Sequence, residues 1–580
     1  MKQQPFLLFE FADQGGNLNP KVFTEPERII TTNRIEEILP CLEEIERAVQ
    51  SGYYAAGYLS YEAAPAFDTS FQVKSGAKMP LLWFGLFREA KQPNRIESGT
   101  FSVSEWKSAI SEEHYRACIQ SIKNAIENGD TYQVNYTNRL TSTIAGDEFS
   151  FYQQLSRAQA SKYSAYLNIG DYSILSASPE LFFRLSGRNI ITKPMKGTVK
   201  RGRTIMEDEE LTNWLYHSEK NRAENLMIVD LLRNDLGMIA ESGSVKVEKL
   251  FEIEPYPTVL QMTSTITAKT MDETKITDVF RALFPCGSIT GAPKISTMKI
   301  ISELEDSPRE VYCGAIGYMT PDHEAIFNVP IRTVVIDKQT GKATYGVGGG
   351  ITWDSTSEDE YNEMLTKAAL LTVKRPPFEL LESLKLQDGE YWLLENHLMR
   401  LQSSASYFGF LVDMEEIKKA LHQFATSHKK ETMKVRLLVS KHGSISINGE
   451  KIIPMIDGQI VTIASSPINN LDPFFMHKTT NRKRYTYHKE QHPECFDVLL
   501  WNEDREITEF TNGNIVVELE GQLYTPPQTC GLLAGTFRAE LLQNGKIKER
   551  VIKLEELPLA TEIWFINSVR GWIKVSIVEK

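Results

Sequence analysis

The chain has 580 residues, several times the usual domain size, so two or more separately cored domains are expected. Apolar residues make up 41 % and charged residues 24 %, an ordinary folded composition that excludes a disordered or fibrous chain. With 64 basic against 76 acidic side chains the net charge is -12, a field that repels phosphate and argues against nucleic acid or an anionic membrane as partner.

No stretch approaches the roughly 20 apolar residues needed to span a bilayer. The opening MKQQPFLLFEFADQ has too short an apolar core and no small-residue cleavage site for a secretory signal, so a cytoplasmic protein is expected. Cys41, Cys118, Cys286, Cys313, Cys495 and Cys530 are scattered without a CxxC pair, which suggests neither a disulfide framework nor a zinc site.

In chain order, EEHYRACIQSIKNAIENG reads as a helix ending at Gly129, and TYQVNYTNRLTSTI alternates as a strand. KPMKGTVKRG, residues 193 to 202, sets Lys196 among Lys193, Lys200, Arg201 and Arg203. Residues 207 to 237 read as helical, with EKNRAENLMIVDLLRNDL as a second helix before Gly237. The glycine-rich PCGSITGAPK and YGVGGGI fit neither nucleotide-loop pattern. They offer close backbone approach and free N–H groups, or simply tight turns.

TSEDEYNEMLTKAALL has apolar residues at helical spacing, and Pro376 and Pro377 forbid its continuation. A boundary is therefore expected near 375, giving domains over 1–374 and 375–580. Downstream, MKVRLLVS, QIVTIASS, DVLLWN, NIVVELEGQLYTPP and EIWFINSV read as strands, with short helices at 396–408 and 534–543. Without a regular βαβ repeat, both halves read as α+β. His488 and His492 of HKEQH lack the Glu directly after the first His that a zinc protease needs, and read as solvated helix surface.

Glu360 and Glu363 lie three residues apart on one helix face. Glu363 with Glu224 would supply the one or two carboxylates magnesium takes from protein. The same residues also fit a Ser357–Glu360 capping box and a Glu363–Lys367 surface ion pair.

In combination the segments are recognisable. SASPELFF, KPMKGTVKRG, AENLMIVDLLRNDLG, PCGSITGAPK, YCGAIGY, NVPIRT and YGVGGGITWDSTSEDEYNE run in the order seen in chorismate-utilising enzymes, whose fold has antiparallel sheets with flanking helices. Within that group the first half most resembles aminodeoxychorismate synthase component I, whose relatives that make anthranilate usually carry alanine where Lys196 stands.

The resemblance implies that Lys196 attacks C2 of chorismate as the C4 hydroxyl leaves, and that ammonia then expels it. It implies Glu180 as acid/base near the leaving hydroxyl, Glu224 and Glu363 as magnesium ligands, and Glu360 outside them. Arg332, Tyr312 and the Gly346 and Gly348 backbone would hold the enolpyruvyl carboxylate, with Lys367 and Ser288 as further contacts. The basic neighbours of Lys196 would lower its pKa and attract a dicarboxylate. Asn221 and Gln261 depart from the family, standing where relatives have a carboxylate and a histidine. A glutaminase would need a nucleophilic cysteine in a glycine-flanked turn, which no cysteine here offers, so a separate glutamine amidotransferase subunit is the expected partner.

After 375, ENHLMRL, HKTTNRKRY, EITEFTNGNI and LLAGTFRAE follow the order of the fold-type IV pyridoxal-phosphate enzymes, the class IV aminotransferase group. The resemblance implies Lys478 as the lysine carrying pyridoxal phosphate, and Glu509 as partner of its pyridine nitrogen. Arg400 and the Gly535 and Thr536 N–H groups would hold its phosphate, and Asn567 and Arg570 the substrate. Arg482 and Lys483 read as structural or solvated. A homodimer through this domain is one arrangement the resemblance allows.

The group includes 4-amino-4-deoxychorismate lyase, and that lyase consumes the amine the first half would make. The sequence is therefore read as a fused enzyme that makes 4-aminobenzoate for folate. The readings it leaves open are a true aminotransferase in the second half, anthranilate formation with Lys196 inert, and a non-catalytic metabolite-binding scaffold.

Overall fold

The computed structural model describes residues 4–93, 99–373 and 375–578; Lys374, in the expected joint, lies outside them. The chain divides into two compact units, Met1–Arg201 with Leu211–Arg375, and Gly202–Glu210 with Pro376–Lys580. No pattern in the sequence announces that Gly202–Glu210 belongs with the second.

Among the described residues the first unit is built on two ten-stranded antiparallel sheets. One carries β1 (Gln133–Gly146) near its edge, and the other ends in β2 (Met195–Lys200). Strand alternation explains β1: Val134, Tyr136, Leu140 and Ile144 enter an apolar core, while Gln133, Asn135, Thr137 and Arg139 occupy its other, also buried, face. Between the sheets, Phe9, Phe11 and Tyr318 pack with ring centroids 5.3 to 5.9 Å apart.

α1 (Glu219–Gly237) starts at Ser218, whose hydroxyl accepts from the Asn221 amide, and buries Ile228, Val229, Leu232 and Leu236. The segment YGVGGGI is a strand and not a turn. It lies in β3 (Lys342–Ile351), which pairs antiparallel with β1 in the register Gly346↔Arg139, Gly348↔Thr137 and Gly350↔Asn135. The ladder on β1 supplies the pairing that glycine's weak strand preference would not predict. α2 (Ser357–Ala368) is capped by Thr356, one residue before the expected Ser357, and Glu360 instead accepts from Ser355 Oγ at 2.6 Å.

The second unit has a four-stranded antiparallel sheet, with α3 (Leu394–Phe408) packed on it, and an eight-stranded mixed sheet. The larger sheet carries β4 (Ile507–Phe510), and α4 (Thr536–Gln543) packs against its strand β5 (Glu562–Asn567). His488 corrects an expectation. It lies on the same helix face as Tyr485, three residues earlier, and both are buried, whereas His492 falls beyond the helix end. Both halves are α+β, as their strand and helix patterns predict.

Candidate active sites in the two units

In the first unit the backbone around Lys196 is held from several sides. Gly197 has φ +90°, a conformation that favours glycine, and a methyl group there would lie 3.0 Å from the Asn221 Cβ. Gln261 Nε2 donates to the Gly197 carbonyl at 2.8 Å. Asn225 Nδ2 donates to the Lys196 carbonyl at 3.3 Å while its Oδ1 accepts from Ser264 Oγ at 2.6 Å. Asn221 and Gln261, the two departures, thus both pack at the irregular stretch of β2, between Met195 and Thr198, that presents Lys196.

The Lys196 amine is pushed below the usual lysine range by desolvation and by the nearby Lys367, while Glu224, Glu180 and Glu363 pull the other way. The basic neighbours in sequence are not the source of this field. Lys193 is ion-paired with Glu254 at 2.6 Å, and Arg203 with Glu207 at 2.6 Å in the second unit. Glu180 is 3 % exposed, and burial raises its carboxyl to about 7 although Ser288 Oγ donates to it at 2.6 Å. Ser288 is therefore engaged with Glu180.

The glycines of β3 explain how so many groups converge. Side chains on one face of a strand recur every second residue. A methyl group at Gly346 would fall 2.4 Å from the Tyr312 ring, at Gly348 2.0 Å from the Tyr136 carbonyl, and at Gly350 2.8 Å from Lys196 Nζ. On the opposite face, one at Gly349 would lie 3.0 Å from Glu360 Oε2 and 3.6 Å from Glu363 Oε1. Lys367 pairs with Glu363 at 2.5 Å and donates to the Gly348 carbonyl at 2.8 Å. Arg332 donates to the Lys367 carbonyl at 3.0 Å, and Arg139 lies 5.1 Å over the Tyr312 ring.

In the second unit Lys478, Glu509, Arg400, Gly535, Thr536, Asn567 and Arg570 all line one cavity of about 460 Å3, ample for a cofactor. Burial, with Arg400 and Arg482 near by, pushes the Lys478 amine down to about 7. Burial raises Glu509 to about 7, though Tyr485 Oη and the Leu533 N–H donate to it at 2.8 and 3.1 Å. Arg400 is oriented by a bidentate pair with the buried Glu382, at 2.9 and 2.6 Å. His397 Nδ1 lies 2.6 Å from the same carboxylate, which Arg400 and His397 hold at about 2 against the cost of burial. Arg482 donates to the Thr511 carbonyl at 2.6 Å. Asn567 Oδ1 accepts from the Val569 and Arg570 N–H groups at 3.0 and 2.8 Å, closing its own turn.

Residues 4–373 match the model of the chorismate binding enzymes. The chain belongs to that family. Residues 379–578 match the model of class IV amino-transferases, so this chorismate binding enzyme carries a class IV aminotransferase domain at its C-terminal end. It is 43 % identical over 265 residues to aminodeoxychorismate synthase component 1 of Salmonella typhimurium, covering 46 % of this chain and 58 % of that one. It is 35 % identical over 340 residues to anthranilate synthase component 1 of Methanothermobacter marburgensis, covering 54 % and 73 %. The crystal structure of anthranilate synthase component I from Streptococcus pneumoniae TIGR4 superposes with a TM-score of 0.52 at 24 % identity, over 64 % of this chain and 93 % of that one, a likeness of fold. Among the described residues no helix is long and apolar enough to cross a membrane.

The residues present fit the groups these families imply. Among the described residues no side chain hydrogen-bonds to Glu224, and Glu224 and Glu360 are each pushed up chiefly by burial and further by Glu363. No cluster of three metal-ligating side chains occurs among the described residues. Such carboxylates would suit magnesium, which keeps several waters and takes only one or two carboxylates from protein. Around Lys478, Gly535 and Thr536 line the cavity where α4 begins, and a helix N-terminus is suited to a phosphate. Beside it are a desolvated amine, an oriented guanidinium and a buried carboxylate, which suit pyridoxal phosphate.

Sequence reasoning missed Gln133, Asn225, Glu382 and Tyr485. Only Tyr485 carries a local signal, as an aromatic one helical turn from His488 and on the same face. The others act through chain-distant partners.

Proposed function

We propose that this chain makes 4-aminobenzoate in two steps: chorismate and ammonia give 4-amino-4-deoxychorismate in the domain over 1–374, and pyruvate is then eliminated in the domain over 375–580. The observation that carries the reading is Lys196, a desolvated amine over Gly350 that feels the charges of Glu224, Lys367, Glu180 and Glu363. An amine attacks carbon only when unprotonated, and desolvation favours that form.

Lys196 attacks C2, the ring double bonds shift, and the C4 hydroxyl leaves as water with a proton from Glu180, whose pKa near 7 suits proton transfer at neutral pH. Ammonia then attacks C4 and the Lys196 amine departs. Glu224 and Glu363, with Glu360 behind them, would hold magnesium, which offsets the charge of the ring carboxylate. Arg332, Tyr312 and the Gly346 and Gly348 backbone hold the enolpyruvyl carboxylate. Lys367 and Ser288 fix Glu363 and Glu180.

In the second domain Lys478, Arg400, Gly535, Thr536 and Glu509 would hold pyridoxal phosphate, which supplies an electron sink for the carbanion at C4. Lys478 takes the C4 proton, for which an amine near pKa 7 is suited; the C3–O bond breaks as the C3–C4 double bond completes the aromatic ring, and the released enolpyruvate takes up a proton to become pyruvate. Asn567 and Arg570, which line the same cavity, bind the substrate. Ammonia comes from a separate glutamine amidotransferase subunit. Burial pushes the Cys286 and Cys530 thiols up to about 12 and Cys313 to about 11, which disfavours the thiolate a glutaminase needs.

The test incubates the purified chain with chorismate, magnesium, pyridoxal phosphate and ammonium, and identifies products by chromatography and mass. 4-Aminobenzoate with pyruvate is expected. Lys478→Ala should stop at 4-amino-4-deoxychorismate and Lys196→Ala should consume no chorismate. Anthranilate as product, or full 4-aminobenzoate output from Lys478→Ala, would refute the reading.

A further inference from the structure

Gln133 begins β1, is fully buried, and neither end of its side-chain amide has a hydrogen-bond partner among the described residues. Buried amides are nearly always paired, so an orphan calls for a functional account. A methyl group at Gly350 would lie 2.0 Å from Gln133 Nε2 and 2.8 Å from Lys196 Nζ, so amide and amine crowd the same point above the Gly350 Cα. The backbone of Gln133 is fixed there, because its residue pairs with Ala292 and its carbonyl lies 1.9 Å from where Gly291 would carry a methyl group. A half-turn of the carboxamide exchanges its oxygen and nitrogen at no steric cost. The end that pairs with an amine N–H is the oxygen.

We propose that Gln133 is the positioning residue for Lys196: its carboxamide oxygen accepts an N–H of the amine and so directs the nitrogen lone pair at the carbon attacked. An amide does this without the charge of a carboxylate, which would hold the amine as ammonium. The site already has Glu180, Glu224 and Glu363 on one side of the balance and Lys367 on the other, and Gln133 adds direction without altering it. The inference rests on the synthase reading of this site.

Gln133→Met keeps the length and removes both polar ends. The variant breaks one neutral hydrogen bond but also removes an amide nitrogen that has no partner among the described residues, so the urea midpoint of the full-length protein should stay close to that of wild type. The kcat for 4-amino-4-deoxychorismate formation from ammonium should fall about tenfold, with KM for chorismate within about twofold, since only the orientation of the nucleophile is lost. Trace acetylation of the full chain with acetic anhydride, read at each lysine by peptide mass spectrometry, should slow about fivefold at Lys196 and not at other lysines.

Unchanged acetylation of Lys196 overturns the proposal, as does a raised KM with kcat intact, which would make Gln133 a substrate contact. A variant whose kcat falls only in step with a large loss of folded protein in the urea titration, with acetylation of all buried lysines altered alike, overturns it too, by giving Gln133 a purely structural role. Acetylation is read without substrate, so failure of the wild-type chain to make 4-amino-4-deoxychorismate defeats the synthase reading separately.

Discussion

Gly350→Ala tests the geometry of the first site with one methyl group. The added Cβ would lie 2.0 Å from Gln133 Nε2 and 2.8 Å from Lys196 Nζ. Ordinary contact needs about 3.5 Å, so the amide must retreat by roughly 1.5 Å and the amine by roughly 0.7 Å. Both are the far ends of flexible side chains, and Gly350 is not among the glycines with positive φ. The fold should therefore absorb the change for about 1 kcal/mol, the cost of a strained rotamer, partly offset by the lower chain entropy of alanine when unfolded.

Catalysis should not absorb it, because an angstrom of misplacement at a nucleophile costs about a hundredfold. The assay separates the steps: chorismate with ammonium for the first, and supplied 4-amino-4-deoxychorismate for the second. The first should fall about a hundredfold and the second stay unchanged, with the thermal midpoint within a few degrees of wild type. First-step activity within twofold of wild type would refute the placement of Lys196 over Gly350.

Burial raises Glu180 from 4.5 to about 7, so the folded chain binds its proton more tightly than the unfolded one. The stability this contributes is present below 4.5 and lost as pH rises through about 7. Glu180→Gln, a neutral isostere, should gain on wild type by up to about 3 kcal/mol between pH 4.5 and 8 while losing first-step activity; a difference in thermal midpoint that stays constant with pH would contradict it. If Glu224 and Glu363 hold magnesium as proposed, Glu224→Gln and Glu363→Gln should each raise the magnesium concentration needed for half-maximal first-step rate at least tenfold. Normal magnesium dependence in both would remove the metal assignment. Glu363→Gln should be the milder at low magnesium, because Glu363 is already paired with Lys367.

The α+β class and the membership of each half in its family were legible in the sequence, because local alternation, proline stops and ordered short segments are properties of contiguous residues. The YGVGGGI segment shows the limit. Four near-consecutive glycines look like a turn, and they form a strand because β1 pairs along their whole length, while Glu360 and Glu363 approach one face and Lys196 the other. His488 reads as surface until Tyr485 is seen to turn the same helix face inward.

The field on Lys196 could not be read from its neighbours in the chain. Lys193 turns to Glu254, and the cation that reaches the amine is Lys367, 171 positions away in sequence by the numbering of the chain. The charge pattern of the run around Lys196 was thus explicit in the sequence, but desolvation and Coulomb energy depend on distance through space. Gln133, an unremarkable polar residue opening a strand, acquires its meaning only where β1, β2 and β3 bring an amide and an amine over a residue with no side chain.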